Sequence, residues 1–160
     1  TKINQTFTTS NIDEVNFIIS GNNDIEFMYI PIHLEYIIFE ILKNSVKAII
    51  DNDFSDSNVN IHIDKGIDDI LIKISDKGIG FNRDLNQHIF SYLYTSTKDS
   101  NSNMSRINNL PVLSGFAHGL GLSRLYANYL GGDINIVSSY GIGTDAYIHI
   151  KILGTDENLP

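Results

Sequence analysis

The sequence predicts an α+β fold, a two-layer α/β sandwich in which a mixed, mostly antiparallel sheet carries helices on one face. Two observations carry this. Apolar residues recur at helical spacing over 33–50, and again at Leu122, Leu125, Tyr126 and Tyr129. Between and after these stretches the period drops to two: Val59, Ile61 and Ile63, then Ile70, Ile72 and Ile74, then 134–138 and 144–152. In the last of these, Ala146, Ile148, Ile150 and Ile152 alternate with Tyr147, His149 and Lys151.

Taken in order, residues 1–22 are polar and rich in Thr and Asn, which predicts an irregular lead-in. The stretch 25–30 (IEFMYI) reads as a short strand, and Pro31 suits a first helical position because its missing N–H would be unpaired there anyway. The helix it opens runs to about Asp51. Lys65-Gly66 and Asp68-Asp69 predict a turn between two strands. A Gly-containing loop follows over 76–81, then a short helix over about 85–90. Residues 95–114 are dominated by Ser and Asn and have neither period, so they read as a mobile lid, since a long loop in a compact domain is usually functional. Gly131-Gly132 ends the second amphipathic helix. The expected domain spans 23–155, with 156–160 as a tail.

Composition narrows the function classes. A chain of 160 residues with 42% apolar content fits one domain with a real core. The excess of 19 acidic over 11 basic side chains gives a net charge of -8, which argues against nucleic acid as a partner. Without cysteine there is no disulfide framework and no cysteine-ligated zinc. No apolar run approaches the ~20 residues of a membrane helix, so no membrane partner is expected. The sequence opens on Thr1 without a recognisable targeting segment, and reads as a piece of a longer protein.

On a wheel of about 100° per residue, Leu34, Ile37, Ile38, Ile41, Leu42, Ala48 and Ile49 form the apolar arc of the first helix. His33, Tyr36, Glu40, Lys43, Asn44 and Lys47 lie opposite. Such an arc is ordinarily a solvated face. Asn44 is out of place there, because Asn prefers caps and turns to helix interiors, and it lies one turn from Glu40.

Three glycine boxes follow. Asp76-Lys77-Gly78-Ile79-Gly80 comes directly after a strand, where a carboxylate can accept from an exocyclic amine and glycines let the backbone approach a planar base. Gly115-Phe116-Ala117-His118-Gly119-Leu120-Gly121 opens a helix, where unpaired N–H groups bind phosphate. Its spacing is neither the dinucleotide fingerprint nor a P-loop. Gly141-Ile142-Gly143-Thr144 joins two strands and could be a plain hairpin turn. Each box is weak alone. Their order, with the Asn-bearing helix ahead and the polar lid between, is not.

These features resemble the gyrase, Hsp90, histidine kinase and MutL superfamily with its Bergerat ATP site. Within it the words FEILKNSVKA (39–48), ISDKGIGF (74–81), FSYLYTST (90–97) and RLYANYLGGDINIVSSYGIGTDAYI (124–148) are similar to the mitochondrial pyruvate and branched-chain α-ketoacid dehydrogenase kinases. The resemblance implies a protein-serine kinase using ATP and Mg2+, with K+ as a further ion. It implies Glu40 as general base and Asn44 as Mg2+ ligand, with Lys43 and Lys47 near the phosphates or Glu40. Asp76, Gly78, Gly80 and Thr144 would line the adenine pocket. Thr95 and Ser96 would be the hydroxyl pair before the lid, and Gly115, Phe116, Ala117, His118, Gly119 and Leu120 the phosphate loop. The implied partners are the dehydrogenase component and lipoyl-bearing core of the complex, met through regions largely outside this chain. A homodimer in the mitochondrial matrix is implied as well.

Three positions depart from the family pattern. Tyr36 stands where a His one turn before the base is usual, Ala117 replaces a glycine, and Gly121 replaces a common Pro. Gly-Leu-Gly-Leu-Ser (119–123) is closer to sensor histidine kinases, whose catalytic domain is one alternative reading. The other is a nucleotide-binding switch without phosphotransfer, a pseudokinase.

Overall fold

The computed structural model describes residues 15–22, 24–53, 56–82, 89–90 and 119–152. Five strands form one sheet in the order β1-β2-β3-β5-β4: β1 (Asn16–Gly21), β2 (Asn58–Lys65), β3 (Asp69–Asp76), β4 (Asp133–Ser139) and β5 (Gly143–Lys151). The β1–β2 pair is parallel and every other pair is antiparallel. Two helices, α1 (Pro31–Ile50) and α2 (Gly119–Tyr129), pack on the sheet and on each other. The predicted class holds.

Register explains where the site lies. On the helix-facing side, Ile63, Ile72, Ile148 and Ile134 form one cross-strand row, and Ile61, Ile74, Ala146 and Ile136 the next. The row after that changes character: Val59, Asp76, Thr144 and Ser138. The apolar rows press against Ile37, Ile41, Val46 and Ile49 of α1, all buried. Truncating one such isoleucine to alanine typically costs ~2–5 kcal/mol. The polar row therefore sits at one end of an apolar floor, with α1 above it.

Several expectations need correction. Residues 16–21, expected as irregular, form β1, because Asn16 pairs with Asn58 and the strand continues in register to Gly21. Residues 25–30 form no strand. Ile25, Phe27 and Tyr29 alternate because they pack against the core, not because they pair in the sheet. In α2 the expected apolar positions Leu125 and Tyr129 are exposed, whereas Gly121, Ser123 and Ala127 are buried. Small residues let α2 lie close to its neighbours, which periodicity of large side chains cannot reveal. The expected lid, and most of the short helix over 85–90, lie outside the described residues; Ile89 and Phe90 form a turn.

Local chemistry ends the elements as read. Pro31 occupies the first turn of α1, and Asp51 donates its N–H to the Lys47 carbonyl at 2.9 Å. Gly131 adopts a positive φ of 78° and donates to Asn128 O, terminating α2. Arg124 of α2 then holds Asp133 of β4 through two hydrogen bonds, of 2.8 and 3.2 Å.

Candidate active site

The end of β3 brings Asp76 to the polar row, under α1. It is 6% exposed. Burial raises its pKa above the ordinary carboxyl range, opposed by donors from the Ser45 hydroxyl and the backbone N–H groups of Gly78 and Thr144. The Gly78 contact is 3.0 Å. Ser45, itself buried, reaches Asp76 from α1. Ser45 was not among the expected site residues, although the sequence carries a signal for it: this serine falls inside the apolar arc of the helical wheel.

The first and third glycine boxes meet at this point. Ile79 donates to the Ala48 carbonyl at 3.0 Å, so the first box lies directly on α1. A Cβ at Gly78 would come within 2.5 Å of the Ala48 carbonyl carbon, and the closeness requires glycine. Gly80 has a φ of 61° and packs on Ser139. Gly141 donates to Ile79 O at 2.7 Å, and Phe81 N–H to Ser138 Oγ at 3.0 Å. Thr144 is the register partner of Asp76. Ser138, which binds Phe81 just after the first box and Gly143 and Thr144 of the third, was not foreseen.

Glu40 is not part of a solvated arc. It is 8% exposed, and α2 begins against it: a Cβ on Gly119 would stand 2.0 Å from Glu40 Oε2. Lys43 donates to the same oxygen at 2.5 Å. Its carboxylate thus lies between the first residue of α2 and the Lys43 ammonium. Tyr36, one turn earlier, is shifted upward in pKa by burial first, then by the Glu40 charge and by Tyr126. Its ring meets Tyr126 edge-on at 5.5 Å. His33 stacks on Tyr126 at 4.2 Å and is thereby engaged by α2.

The remaining predicted positions divide. Asn44 lies one turn beyond Glu40 on α1 and is exposed. Lys47 is drawn to Asp51 at 3.1 Å, away from Glu40. Gly119 and Leu120 open α2, and Leu120 packs on the core. Thr95, Ser96, Gly115, Phe116, Ala117 and His118 lie outside the described residues. What the fold assembles is a buried acceptor at the sheet end, a buried carboxylate at a helix start, and an exposed amide between them along α1.

Residues 29–153 match the family described as histidine kinase-, DNA gyrase B-, and HSP90-like ATPase. The chain is also similar to named kinases. It is 39% identical over 156 residues to the mitochondrial pyruvate dehydrogenase (acetyl-transferring) kinase of Arabidopsis thaliana, covering 92% of this chain and 42% of the relative. The Drosophila melanogaster enzyme of that name is 39% identical over 143 residues, or 86% and 34%. Isozyme 4 of Mus musculus is 39% identical over 155 residues, or 94% and 37%. The chain thus spans between about a third and two-fifths of these curated relatives. Sheet order, the meeting of the first and third boxes beside α1 and the match over 29–153 agree: the chain belongs to the histidine kinase-, DNA gyrase B- and HSP90-like ATPase family.

Proposed function

We propose that this chain is the Mg-ATP-dependent catalytic domain of a protein-serine kinase acting on the dehydrogenase component of a mitochondrial α-ketoacid dehydrogenase complex. The observation that carries the reading is the placement of Glu40, buried against the first residue of α2 and one turn from Asn44. The names of the similar proteins favour pyruvate dehydrogenase as target over the branched-chain enzyme. They favour a mitochondrial location too, and we place the protein in the matrix.

Asp76 accepts from the adenine amino group, with Gly78, Gly80 and Thr144 around the base. Thr95 and Ser96, the hydroxyl pair before the lid, belong to the ATP site, and the loop Gly115, Phe116, Ala117, His118, Gly119 and Leu120 contacts the phosphates, with Lys43 beside them. Lys47, paired with Asp51, has at most an indirect part. Among the described residues no group of three or more His, Cys, Asp or Glu could hold a metal. Mg2+ commonly takes one or two protein oxygens and completes its shell with phosphates and water. The Asn44 amide oxygen, exposed on α1, suits that role. Bound Mg2+ would neutralise charge on the phosphates.

Glu40 takes the proton of the substrate serine hydroxyl as its oxygen attacks the γ-phosphorus and the bond to the β-phosphate oxygen breaks. Lys43 and Gly119 hold that carboxylate in place. A general base contributes typically ~10²–10⁴-fold. Glu40→Gln should therefore lose transfer by about that factor and keep ATP affinity. The decisive experiment incubates the full-length protein with ATP radiolabelled at the γ-phosphate, Mg2+ and each purified complex. Acid-stable label on the dehydrogenase component supports the reading. Acid-labile label would indicate a histidine kinase, and ATP binding without label a switch; either outcome rejects it.

A further inference from the structure

The polar row holds a residue for which the proposed reaction has no assigned use. Ser138 Oγ meets three groups: Phe81 N–H at 3.0 Å, the Gly143 carbonyl oxygen at 3.0 Å and Thr144 Oγ1 at 2.9 Å. A serine hydroxyl has one proton and two lone pairs. The Phe81 N–H can only donate, and the Gly143 carbonyl can only accept. All three contacts are hydrogen bonds only if Ser138 donates to Gly143 and accepts from both Phe81 and Thr144. The Thr144 proton is then committed to Ser138. Towards the pocket the Thr144 oxygen offers lone pairs alone.

Its neighbour across β3 has the same polarity. Asp76, the register partner of Thr144, accepts from Gly78 N–H at 3.0 Å, and a carboxylate has no proton to give. We infer that Ser138 is a positioning residue that turns Thr144 into an acceptor, so that the pocket wall built with Asp76 selects nucleotides carrying an amino group at purine C6 over those with a carbonyl there. The inference deepens the proposed function and rests on Asp76 and Thr144 lining the base pocket. Ser138 acts through Thr144 and does not touch the ligand.

The test measures affinities of the full chain for ATP and for inosine triphosphate, which carries the C6 carbonyl. The unmodified protein should prefer ATP. Ser138→Ala frees the Thr144 hydroxyl to rotate and donate, so the preference should fall about tenfold, the worth of one ordinary hydrogen bond. Ser138→Thr, which keeps the hydroxyl, should restore it. A merely structural role would weaken both nucleotides equally and leave the ratio unchanged, and that result overturns the inference. Thr144→Val keeps the side-chain shape and supplies a second route should Ser138→Ala not fold. It should lower the ratio too, and adding Ser138→Ala to it should lower the ratio no further. An unaltered ratio in Thr144→Val, or additive losses in the double variant, also overturns the inference. Failure of the unmodified protein to bind either nucleotide would instead reject the underlying ATP reading, and the inference with it.

Discussion

Replacing Gly119 by alanine separates the folding role of this site from its chemical role. The new Cβ would stand 2.0 Å from Glu40 Oε2, 2.8 Å from Cδ and 3.4 Å from Cγ. Non-bonded heavy atoms settle at roughly 3.5 Å, so the carboxylate must move by about 1.5 Å. The obstructing group is the end of a flexible side chain, so it can yield without moving the backbone. Gly119 lies in α2, and alanine relieves chain entropy at a compatible site by about 0.4–1 kcal/mol. The melting temperature should therefore stay within a few degrees of the parent, at roughly 2–4 °C per kcal/mol for a domain of this size. Transfer should not survive as well. A misplacement of about 1 Å can cost ~10²-fold in rate, or roughly 2.7 kcal/mol of barrier. Thermal unfolding, ATP affinity and phosphotransfer by the full-length protein together decide it. Parent-like transfer at parent-like stability would show that the position of Glu40 does not matter, and the assignment of the base would fall.

Gly78→Ala should act oppositely, because its Cβ meets the Ala48 backbone at 2.5–2.7 Å, and α1 cannot yield there as a side chain can. A loss of about 1–3 kcal/mol is expected from overpacking, and an unchanged denaturation midpoint would refute it. The raised pKa of Asp76 gives two opposed pH effects. A carboxyl whose folded pKa exceeds its unfolded value of ~3.9 stabilises the fold when protonated. That contribution is full below the unfolded value and is lost as pH rises through the folded one. In the proposed role Asp76 meets ATP as the anion, so affinity should fall on acidification, with a midpoint raised from the usual carboxyl value. Ser45→Ala, which deletes one opposing donor, should move that midpoint higher still; titration of ATP affinity against pH would refute this if the midpoint stayed put.

The fold and the site were legible to different degrees, for reasons that particular residues make plain. Alternating isoleucines in β2, β3 and β5 announced strands because one buried face imposes a period of two. Pro31 and Gly131 marked helix ends through constraints belonging to a single residue. β1 escaped notice because its partner, β2, lies far along the chain, and its six residues are all exposed in this structure. In α2, burial falls on Gly121, Ser123 and Ala127, and small side chains leave no hydrophobic period to read.

The glycine boxes show the same division. Their order along the chain, with Glu40, Asn44 and Asp76 at fixed places among them, is a property of the sequence and sufficed to indicate the family. Tertiary structure decided which groups meet. It buried Glu40 at the start of α2, turned Lys47 to Asp51, and brought Ser45 behind Asp76. It also set Ser138 between the first and third boxes. Spacing along a chain fixes which residues share one helix face or one strand face. The polarity of a pocket depends on donors and acceptors converging from separate elements, and only the packing of α1 and α2 on the sheet supplies that convergence.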